Sequence, residues 1–254
     1  MTIPRLELQH VSKSFHTDGR TVQAVEDVSL RVMPGELATL IGPSGSGKST
    51  LFNLIVGLIE PDSGTICIDG EACQSRTGRV GYMPQRDLLL PWRSVLDNVI
   101  LPLEVSGVPR HEARERARAL LPRFGLEEFA AAYPAELSGG MRQRAALLRT
   151  WLTGSTTLLL DEPFGALDAL TRRAMQDWLL DVWGESGQTI LFITHDVDEA
   201  VYLGDRVFVL SPRPGRLVEE MVVDLPRPRR QGMIALPSFG AQVARLLTAL
   251  GLDA

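Results

Sequence analysis

Eight consecutive residues near the start of the chain have the composition of a phosphate-binding loop. They fit the pattern G-x-x-x-x-G-K-[ST] with the sequence Gly42-Pro43-Ser44-Gly45-Ser46-Gly47-Lys48-Ser49, and Thr50 follows. Glycines let backbone N–H groups turn toward phosphate oxygens, and a helix that begins near Lys48 adds the positive end of its dipole. Lys48 supplies a compact charge for the β- and γ-phosphates, and the Ser49 hydroxyl suits Mg²⁺. Residues 42–50 are therefore predicted to bind a nucleotide.

A pair of acids follows an apolar segment in the second half of the chain, in Thr157-Leu-Leu-Leu-Asp161-Glu162-Pro163. A carboxylate at the carboxyl end of a buried strand, beside a phosphate loop, is well placed to hold Mg²⁺, which is the role predicted for Asp161. Glu162 is then the candidate general base that takes a proton from an attacking water. The alternative is that two acids simply end a strand in a turn.

The elements that must position these residues alternate between strands and helices. Apolar β-rich segments are predicted as strands near Arg5–Val11, Val22–Val32, Glu36–Ile41, Thr65–Asp69, Arg79–Met83, Thr156–Leu160, Thr189–Ile193 and Arg206–Leu210. Helical patterns cover Lys48–Leu58, Arg110–Leu121, Ser138–Leu148, Asp168–Glu185 and Val197–Leu203. This alternation predicts a parallel sheet covered on both faces. The predominantly helical pattern of residues 86–152 predicts an inserted subdomain. The tail from Asp224 is predicted to be a loop, followed by a short helix near Ala241–Leu250.

Composition narrows the function classes further. The 254 residues are 44% hydrophobic and 22% charged, which is typical of one globular domain with a subdomain. A net charge of −5 gives no basic field for nucleic acid, so nucleic acid is not an expected partner. No apolar run reaches 18 residues and Met1–His10 lacks a signal pattern, so a cytoplasmic chain is expected. Of the 26 basic residues only Lys13 and Lys48 are lysines.

A third motif, Leu137-Ser138-Gly139-Gly140-Met141, has the features of a helix N-terminus with a serine cap and free N–H groups that can bind an anion. It resembles the signature motif of ATP-binding-cassette (ABC) ATPases. The resemblance covers nearly the whole chain, because the further motifs of that family occur in its order: Phe15, the phosphate loop, Gln85, LSGGM, LLLDEP, Ala166-Leu167-Asp168 and His195.

The resemblance implies a fold and its extent. The expected fold class is α/β: a P-loop NTPase of the ABC nucleotide-binding type with a mainly parallel core sheet, an antiparallel N-terminal β-subdomain and an inserted α-helical subdomain. One ABC ATPase domain is expected over residues 1–254, with the helical subdomain at about 86–152 and a short tail at 224–254.

The resemblance also implies roles. Phe15 is expected to stack on adenine, Asp168 to communicate across a dimer, and Gln85 to link Mg²⁺ and the attacking water to the helical insert. His195 is expected to contact the γ-phosphate. The implied catalytic set is then Lys48, Gln85, Glu162 and His195, and the implied Mg²⁺ ligands are Ser49, Gln85 and Asp161. Without the resemblance, Phe15 has the alternative of a core or loop residue and His195 that of a structural histidine.

In the family, the phosphate loop of one copy and the signature of another enclose one ATP. A homodimer is therefore implied, in which Ser138, Gly139 and Gly140 complete the site of the partner. Met141 departs from the family, which most often has Gln there, and this departure puts in doubt the fine geometry of that helix start.

Two further stretches resemble the ATPases of nitrate, sulfonate and taurine importers, a branch shared with thiamine-precursor and riboflavin-type importers. They are Gln85-Arg86-Asp87-Leu88-Leu89-Leu90-Pro91-Trp92, and Arg213-Pro-Gly-Arg216 with Asp224–Pro228. This resemblance implies ATP and Mg²⁺ as cofactors. It implies membrane permease subunits and, indirectly, an extracytoplasmic solute-binding protein as partners, and a peripheral location on the cytoplasmic face of the membrane. Residues 86–92 are the candidate docking loop for the permease, with packing inside the helical insert as the alternative.

Two alternative functions have different sequence requirements. A soluble ABC ATPase of DNA repair or translation usually has duplicated cassettes, a coiled-coil insert or basic surfaces, none of which this sequence shows. A P-loop kinase would have no use for LSGGM or His195. The transported solute is not readable from the sequence, because it never touches this subunit.

Overall fold

The computed structural model describes residues 2–17, 19–73 and 75–252. Its strands are β1 (Leu6–Thr17), β2 (Arg20–Val32), β3 (Leu37–Ile41), β4 (Ser63–Ile68), β5 (Glu71–Ala72), β6 (Gly81–Met83), β7 (Thr157–Asp161), β8 (Thr189–Ile193), β9 (Arg206–Leu210) and β10 (Leu217–Val222). Its α-helices are α1 (Lys48–Val56), α2 (Val95–Val99), α3 (Leu101–Val105), α4 (Arg110–Leu120), α5 (Gly139–Trp151), α6 (Ala169–Ser186), α7 (Val197–Leu203) and α8 (Pro237–Ala249). Short 3₁₀ turns occupy Glu127–Phe129, Pro134–Glu136 and Gln231–Ala235.

The central sheet has six strands in the order β10-β9-β3-β8-β7-β6. Five of them are parallel, and β10 alone runs antiparallel to its neighbour β9. Every residue of β3, β7 and β8 is buried, as expected for strands that are covered on both faces. The predicted α/β class with a mainly parallel core sheet is confirmed.

A second sheet of four antiparallel strands, in the order β2-β1-β4-β5, forms the predicted β-subdomain. Its apolar face joins α1 and one face of the central sheet in a single hydrophobic cluster that includes Leu40, Phe52 and Leu159. Alternate residues of the same central strands, such as Leu158 and Leu160, face a larger cluster formed with the helices on the other side. Side-chain alternation in the buried strands therefore divides the core into two layers.

The structure differs from the sequence prediction near the carboxyl end. Strand β10 was not predicted, because the partly exposed Glu219 and the exposed Glu220 interrupt any continuous apolar signal. Helix α8 begins at Pro237, four residues before the predicted start at Ala241. Proline fits the first turn of a helix, where its missing N–H needs no partner. Among the described residues, no helix has both the length and the apolar composition needed to cross a bilayer.

Candidate active site

The site lies where four parallel strands of the central sheet end. The loop from Gly42 to Gly47 follows β3, Gln85 follows β6, Glu162 follows β7 and His195 follows β8. Because the carboxyl ends of neighbouring parallel strands meet at one edge of a sheet, residues far apart in sequence converge there.

The phosphate loop leads directly into α1. Gly47 has the left-handed backbone conformation, with φ of 91°, and Lys48 is the first residue of the helix. The Lys48 side chain turns back into its own loop, where its ammonium donates to the carbonyl oxygens of Gly42 at 2.7 Å and Pro43 at 3.1 Å. Burial lowers the pKa of Lys48, against the opposing effect of Glu162 and Asp161.

The loop between β9 and β10 supports the phosphate loop from behind. The Gly215 amide donates to the carbonyl of Ala24 at 3.0 Å, and the Gly215 carbonyl accepts from the amide of Glu26 at 2.9 Å. A β-carbon at Gly215 would lie 1.9 Å from the backbone oxygen of Ser46, so only glycine fits against the loop at this position. The phosphate loop is thus held between its own helix and the β9–β10 hairpin.

Asp161, the last residue of β7, is buried beside the start of α1. Burial raises the pKa of its carboxyl group, while hydrogen bonds from Ser49 and Tyr82 oppose that rise. Burial, followed by the proximity of Asp161, raises the pKa of Tyr82 to about 12. A buried carboxylate next to a serine hydroxyl is therefore present at the base of the site.

Glu162 contacts two of the other candidate catalytic side chains, Gln85 and His195. Its Oε2 accepts a hydrogen bond from Nε2 of Gln85 at 3.2 Å and lies 3.1 Å from Nδ1 of His195. Its backbone is left-handed with φ of 45°, a strained conformation for a residue other than glycine. The Glu162 amide donates to the carbonyl of Ile193 at 3.0 Å, which ties the ends of β7 and β8 together.

These groups face a cleft of about 560 Å³, in the part of the chain that the structure describes. The predicted residues that line it are Ser44, Gly45, Gly47, Lys48, Ser49, Thr50, Gln85, Glu162 and His195, together with Ala24 and Arg213. Gly42 and Pro43 instead border a smaller adjoining cavity, and Ser46 is fully buried.

Phe15 is not among the lining residues. Its ring is 38% exposed near the far end of β1, with the Lys13 ammonium 5.9 Å from its centre.

The signature residues form a separate, outward-facing site at the start of α5. Ser138 caps the helix, with Oγ accepting from the amide of Met141 at 3.2 Å. Neither Ser138 nor the two glycines after it line the described cleft. Side-chain atoms of Leu167 and Thr171 leave little room for a β-carbon at Gly139 and Gly140. Met141 packs against the hydrophobic core, so its replacement of the usual residue leaves the serine cap in place.

Asp168 occupies the equivalent capping position of α6. Its Oδ1 accepts from the amides of Leu170 at 3.1 Å and Thr171 at 3.0 Å, and hydrogen bonding with Thr171 lowers its pKa. Since Thr171 also lies against Gly140, the first turns of α5 and α6 adjoin.

The segment between β6 and α2 presents two large apolar side chains to solvent. Leu88 is 57% exposed and Trp92 is 72% exposed. The Arg149 guanidinium, on α5, fixes this loop by donating to the carbonyls of Leu88, at 2.7 Å, and of Asp87. Trp92 therefore does not pack inside the helical insert, whereas Leu89 of the same stretch is buried in the larger hydrophobic cluster.

Sequence reasoning missed two residues of the cleft, Ala24 and Arg213, of which Arg213 is charged. Its Nε donates to the carbonyl of Gly45 at 3.3 Å, although 168 residues separate the two positions. The only sequence signal was the Arg213-Pro-Gly-Arg216 motif, which indicated a family branch but no contact with the phosphate loop.

Comparison with known proteins agrees with this fold and site. The sequence profile of the ABC transporter family matches residues 25–165. Among similar proteins, the taurine import ATP-binding protein TauB of Rhizobium johnstonii is 46% identical over 87% of this chain and 85% of its own. The formylaminopyrimidine import ATP-binding protein ThiZ of Halalkalibacterium halodurans is 49% identical over 75% of this chain and 74% of its own.

Solved structures give the same result. The ATP-binding cassette MJ0796, determined as a dimer in a post-hydrolysis state with ADP and Pi, superposes with a TM-score of 0.75 at 31% identity, covering 87% of this chain and 100% of its own. The cbiO1 protein of Clostridium perfringens, part of the cbiONQ transporter complex, gives 0.78 at 25% identity, covering 98% of both chains.

The fold and the cleft define the class: the molecule is a P-loop ATPase of the ATP-binding-cassette type. More particularly, the chain belongs to the ABC transporter family, and the predicted resemblance to its import ATPases is confirmed.

Proposed function

We propose that this ATPase couples ATP hydrolysis to the uptake of a small solute through separate membrane permease subunits. The observation that carries the proposal is the meeting of Gln85 and His195 at the Glu162 carboxylate, in a cleft that also contains Lys48. A base, a γ-phosphate sensor and a phosphate-binding cation are thereby available to one nucleotide.

In the proposed reaction, the backbone amides of residues 42–50 and the Lys48 ammonium bind the phosphate chain of ATP. Glu162 accepts a proton from the attacking water, and Gln85 orients that water through its amide. His195 donates a hydrogen bond toward the γ-phosphate, where negative charge builds up in the transition state. Phe15 is proposed to stack on the adenine ring when the nucleotide binds.

Asp161 and Ser49 fit the requirements of Mg²⁺. This ion uses one or two carboxylates with phosphate oxygens and waters, and does not need a cage of protein ligands. Accordingly, no group of three or more acidic, histidine or cysteine side chains clusters as a metal site within the described residues, whereas a buried carboxylate adjoins the Ser49 hydroxyl. Ser49, Asp161 and Gln85 are proposed to hold the ion, which would neutralise negative charge on the phosphate chain.

A homodimer is proposed to complete the reaction site. Ser138 is exposed and does not line the cleft of its own chain, and Gly139 and Gly140 follow it as the first two residues of α5. In a head-to-tail pair, Ser138, Gly139 and Gly140 of one copy would contact the γ-phosphate held by the other copy. Asp168, beside this turn, is proposed to transmit the state of one site to the second.

The loop at residues 86–92 is proposed as the docking site for the permease. It directly follows the candidate catalytic residue Gln85 and ends at the exposed Trp92, and an exposed aromatic side chain on a fixed loop is typical of a partner contact. Docking there would link permease movement to the cleft. We further propose a location on the cytoplasmic face of the membrane, with a solute-binding protein as the indirect partner.

The proposed solute class is a small solute such as taurine or formylaminopyrimidine, after the names of two relatives, or nitrate, after the resemblance of residues 85–92. The test begins with affinity purification of an amino-terminally tagged chain from native membranes, followed by identification of the co-purified proteins. Co-purification of permease subunits, and ATPase activity in reconstituted vesicles that rises with one loaded solute-binding protein, is the expected result.

Trp92→Ala provides the matched variant for this test. It should retain ATPase activity in solution and lose permease co-purification, because its side chain is exposed away from the cleft. Salt-dependent binding of DNA, with no membrane partner, would instead favour a soluble ABC ATPase and reject the importer function.

A further inference from the structure

Arg213 lies over the middle of the phosphate loop. It belongs to the turn between β9 and β10, and its Nε donates to the Gly45 carbonyl at 3.3 Å. Its Nη2 is 3.4 Å from the position that a β-carbon of Gly45 would occupy. The guanidinium therefore covers the loop on the side that faces the cleft, where it is one of the lining groups.

The charge of Arg213 is not neutralised by a carboxylate among the described residues. Arg216, three residues further along the same turn, differs in this respect, because its guanidinium pairs with Glu26 through two contacts of 3.1 and 2.7 Å. Lys48 and Arg213 are the two lysine or arginine side chains that line the described cleft. An exposed arginine with free N–H donors beside a phosphate loop is thus placed to bind an anion.

The turn that carries Arg213 is held in a fixed conformation. Ser211 Oγ donates to the Pro214 carbonyl at 2.9 Å and accepts from the Arg216 amide at 3.0 Å. Gly215 forms backbone hydrogen bonds with Ala24 and Glu26 of β2 and lies against Ser46. Because this turn is braced against the loop, little conformational freedom of its backbone has to be lost when a ligand binds.

We propose that Arg213 is a second phosphate-binding cation for the nucleotide, acting beside Lys48. Nε retains its bond to Gly45, and the two terminal nitrogens donate to oxygens of the phosphate chain. This inference rests on the proposed nucleotide site and adds a residue that lies outside the phosphate loop, the acidic pair and the signature.

The test measures the binding of ATP, ADP and adenosine to the full chain, by competition with a fluorescent nucleotide at several salt concentrations. Arg213→Ala should weaken ATP and ADP binding about fivefold to tenfold, as expected for loss of a charge-assisted contact. Adenosine binding should stay unchanged, and the dependence of ATP affinity on salt should become shallower. Arg213→Lys should recover part of the affinity, since it retains a charge but not the fork of donors.

Arg216→Ala is the matched control, because it removes an arginine from the same turn that already pairs with Glu26. It should leave all three affinities near wild type. If Arg213→Ala binds ATP and ADP like wild type, the inference is wrong and the proposed function is unaffected. Equal weakening of ATP and adenosine together with a lower melting temperature would assign Arg213 a structural role and also overturn the inference. Failure of the wild type to bind ATP would reject both.

Discussion

The cleft and the start of α5 are both proposed to contact phosphate, but they differ in the groups that one chain supplies. In the cleft, Lys48 begins α1, Gln85, Glu162 and His195 follow three strands, and these side chains contact one another or the phosphate loop. At α5, Ser138 bonds to its own helix and is followed by two glycines, with no acid or base next to it in the motif.

This difference predicts two roles: the cleft would carry out the reaction step, and the start of α5 would complete the site of a second copy. The cleft contains the groups that are proposed to move or hold a proton, so substitutions there should act on the reaction step. The α5 start offers N–H groups and a hydroxyl only, so it can stabilise charge on a phosphate that another chain presents. The four predictions that follow distinguish these two roles.

The largest expected effect comes from Glu162→Gln. Removing the general base should lower ATP hydrolysis about a thousandfold, within the range that acid–base catalysis contributes, and leave ATP binding intact. With ATP and Mg²⁺, light scattering should then show a trapped dimer. Glu128→Gln, at an exposed acid of the helical insert, should hydrolyse ATP normally. A variant that stays monomeric with ATP would contradict a site completed by a second copy.

Lys48→Arg should follow, with a loss of about a hundredfold in phosphate release at saturating ATP. The charge is conserved, but Lys48 is only 8% exposed and its ammonium fits between two carbonyls, where the wider guanidinium does not. The chain offers its other lysine as a control, because Lys13→Arg can keep the surface ion pair with Asp62. Turnover near wild type in Lys48→Arg would show that the shape of the cation is unimportant.

A mixing experiment compares the two regions directly. Lys48→Ala and Ser138→Arg chains should each be inactive alone, since each homodimer lacks one half of both sites. Mixed in equal amounts, they should regain about a quarter of wild-type activity, because about half of the dimers then contain one intact composite site. Absence of any recovery, in a mixture shown to contain the heterodimer, would mean that the cleft and the signature act within one chain.

The smallest effects concern stability and should have opposite signs. Asp161→Asn should raise the melting temperature of the nucleotide-free protein by about 2–4 °C at pH 7, because it removes a buried charge. Since burial raises the folded pKa of Asp161 above 3.8, the ionised wild type bears this cost at neutral pH. The advantage of the variant should shrink as the pH falls through the raised folded pKa, and it should be lost below 3.8, where Asp161 is protonated in both states.

Ser138→Ala should instead lower the melting temperature by a similar amount, through loss of the helix cap. Calorimetry of both variants at pH 7 and in acid measures these shifts. If both variants shift the melting temperature in the same direction at pH 7, the ionised Asp161 does not destabilise the folded protein.

Much of the fold followed from the sequence, because buried parallel strands such as β7 and β8 are continuous apolar runs with sharp ends. Strand β10 did not, since an edge strand with Glu219 and Glu220 has no such pattern. Among site residues, Lys48 and Glu162 lie in local motifs. Arg213 reaches the phosphate loop because β9 pairs with β3, and a local sequence pattern does not predict which strands pair.

The substitutions that position 215 tolerates are limited by a segment far away in the sequence. Gly215 belongs to none of the nucleotide-binding motifs, yet any side chain there would collide with the backbone of Ser46. In a saturation library selected for growth on the transported solute, position 215 should therefore be as depleted as the glycines of the phosphate loop. Sequence diversity at the β9–β10 turn is restricted by the shape of a loop that is encoded about 170 codons earlier.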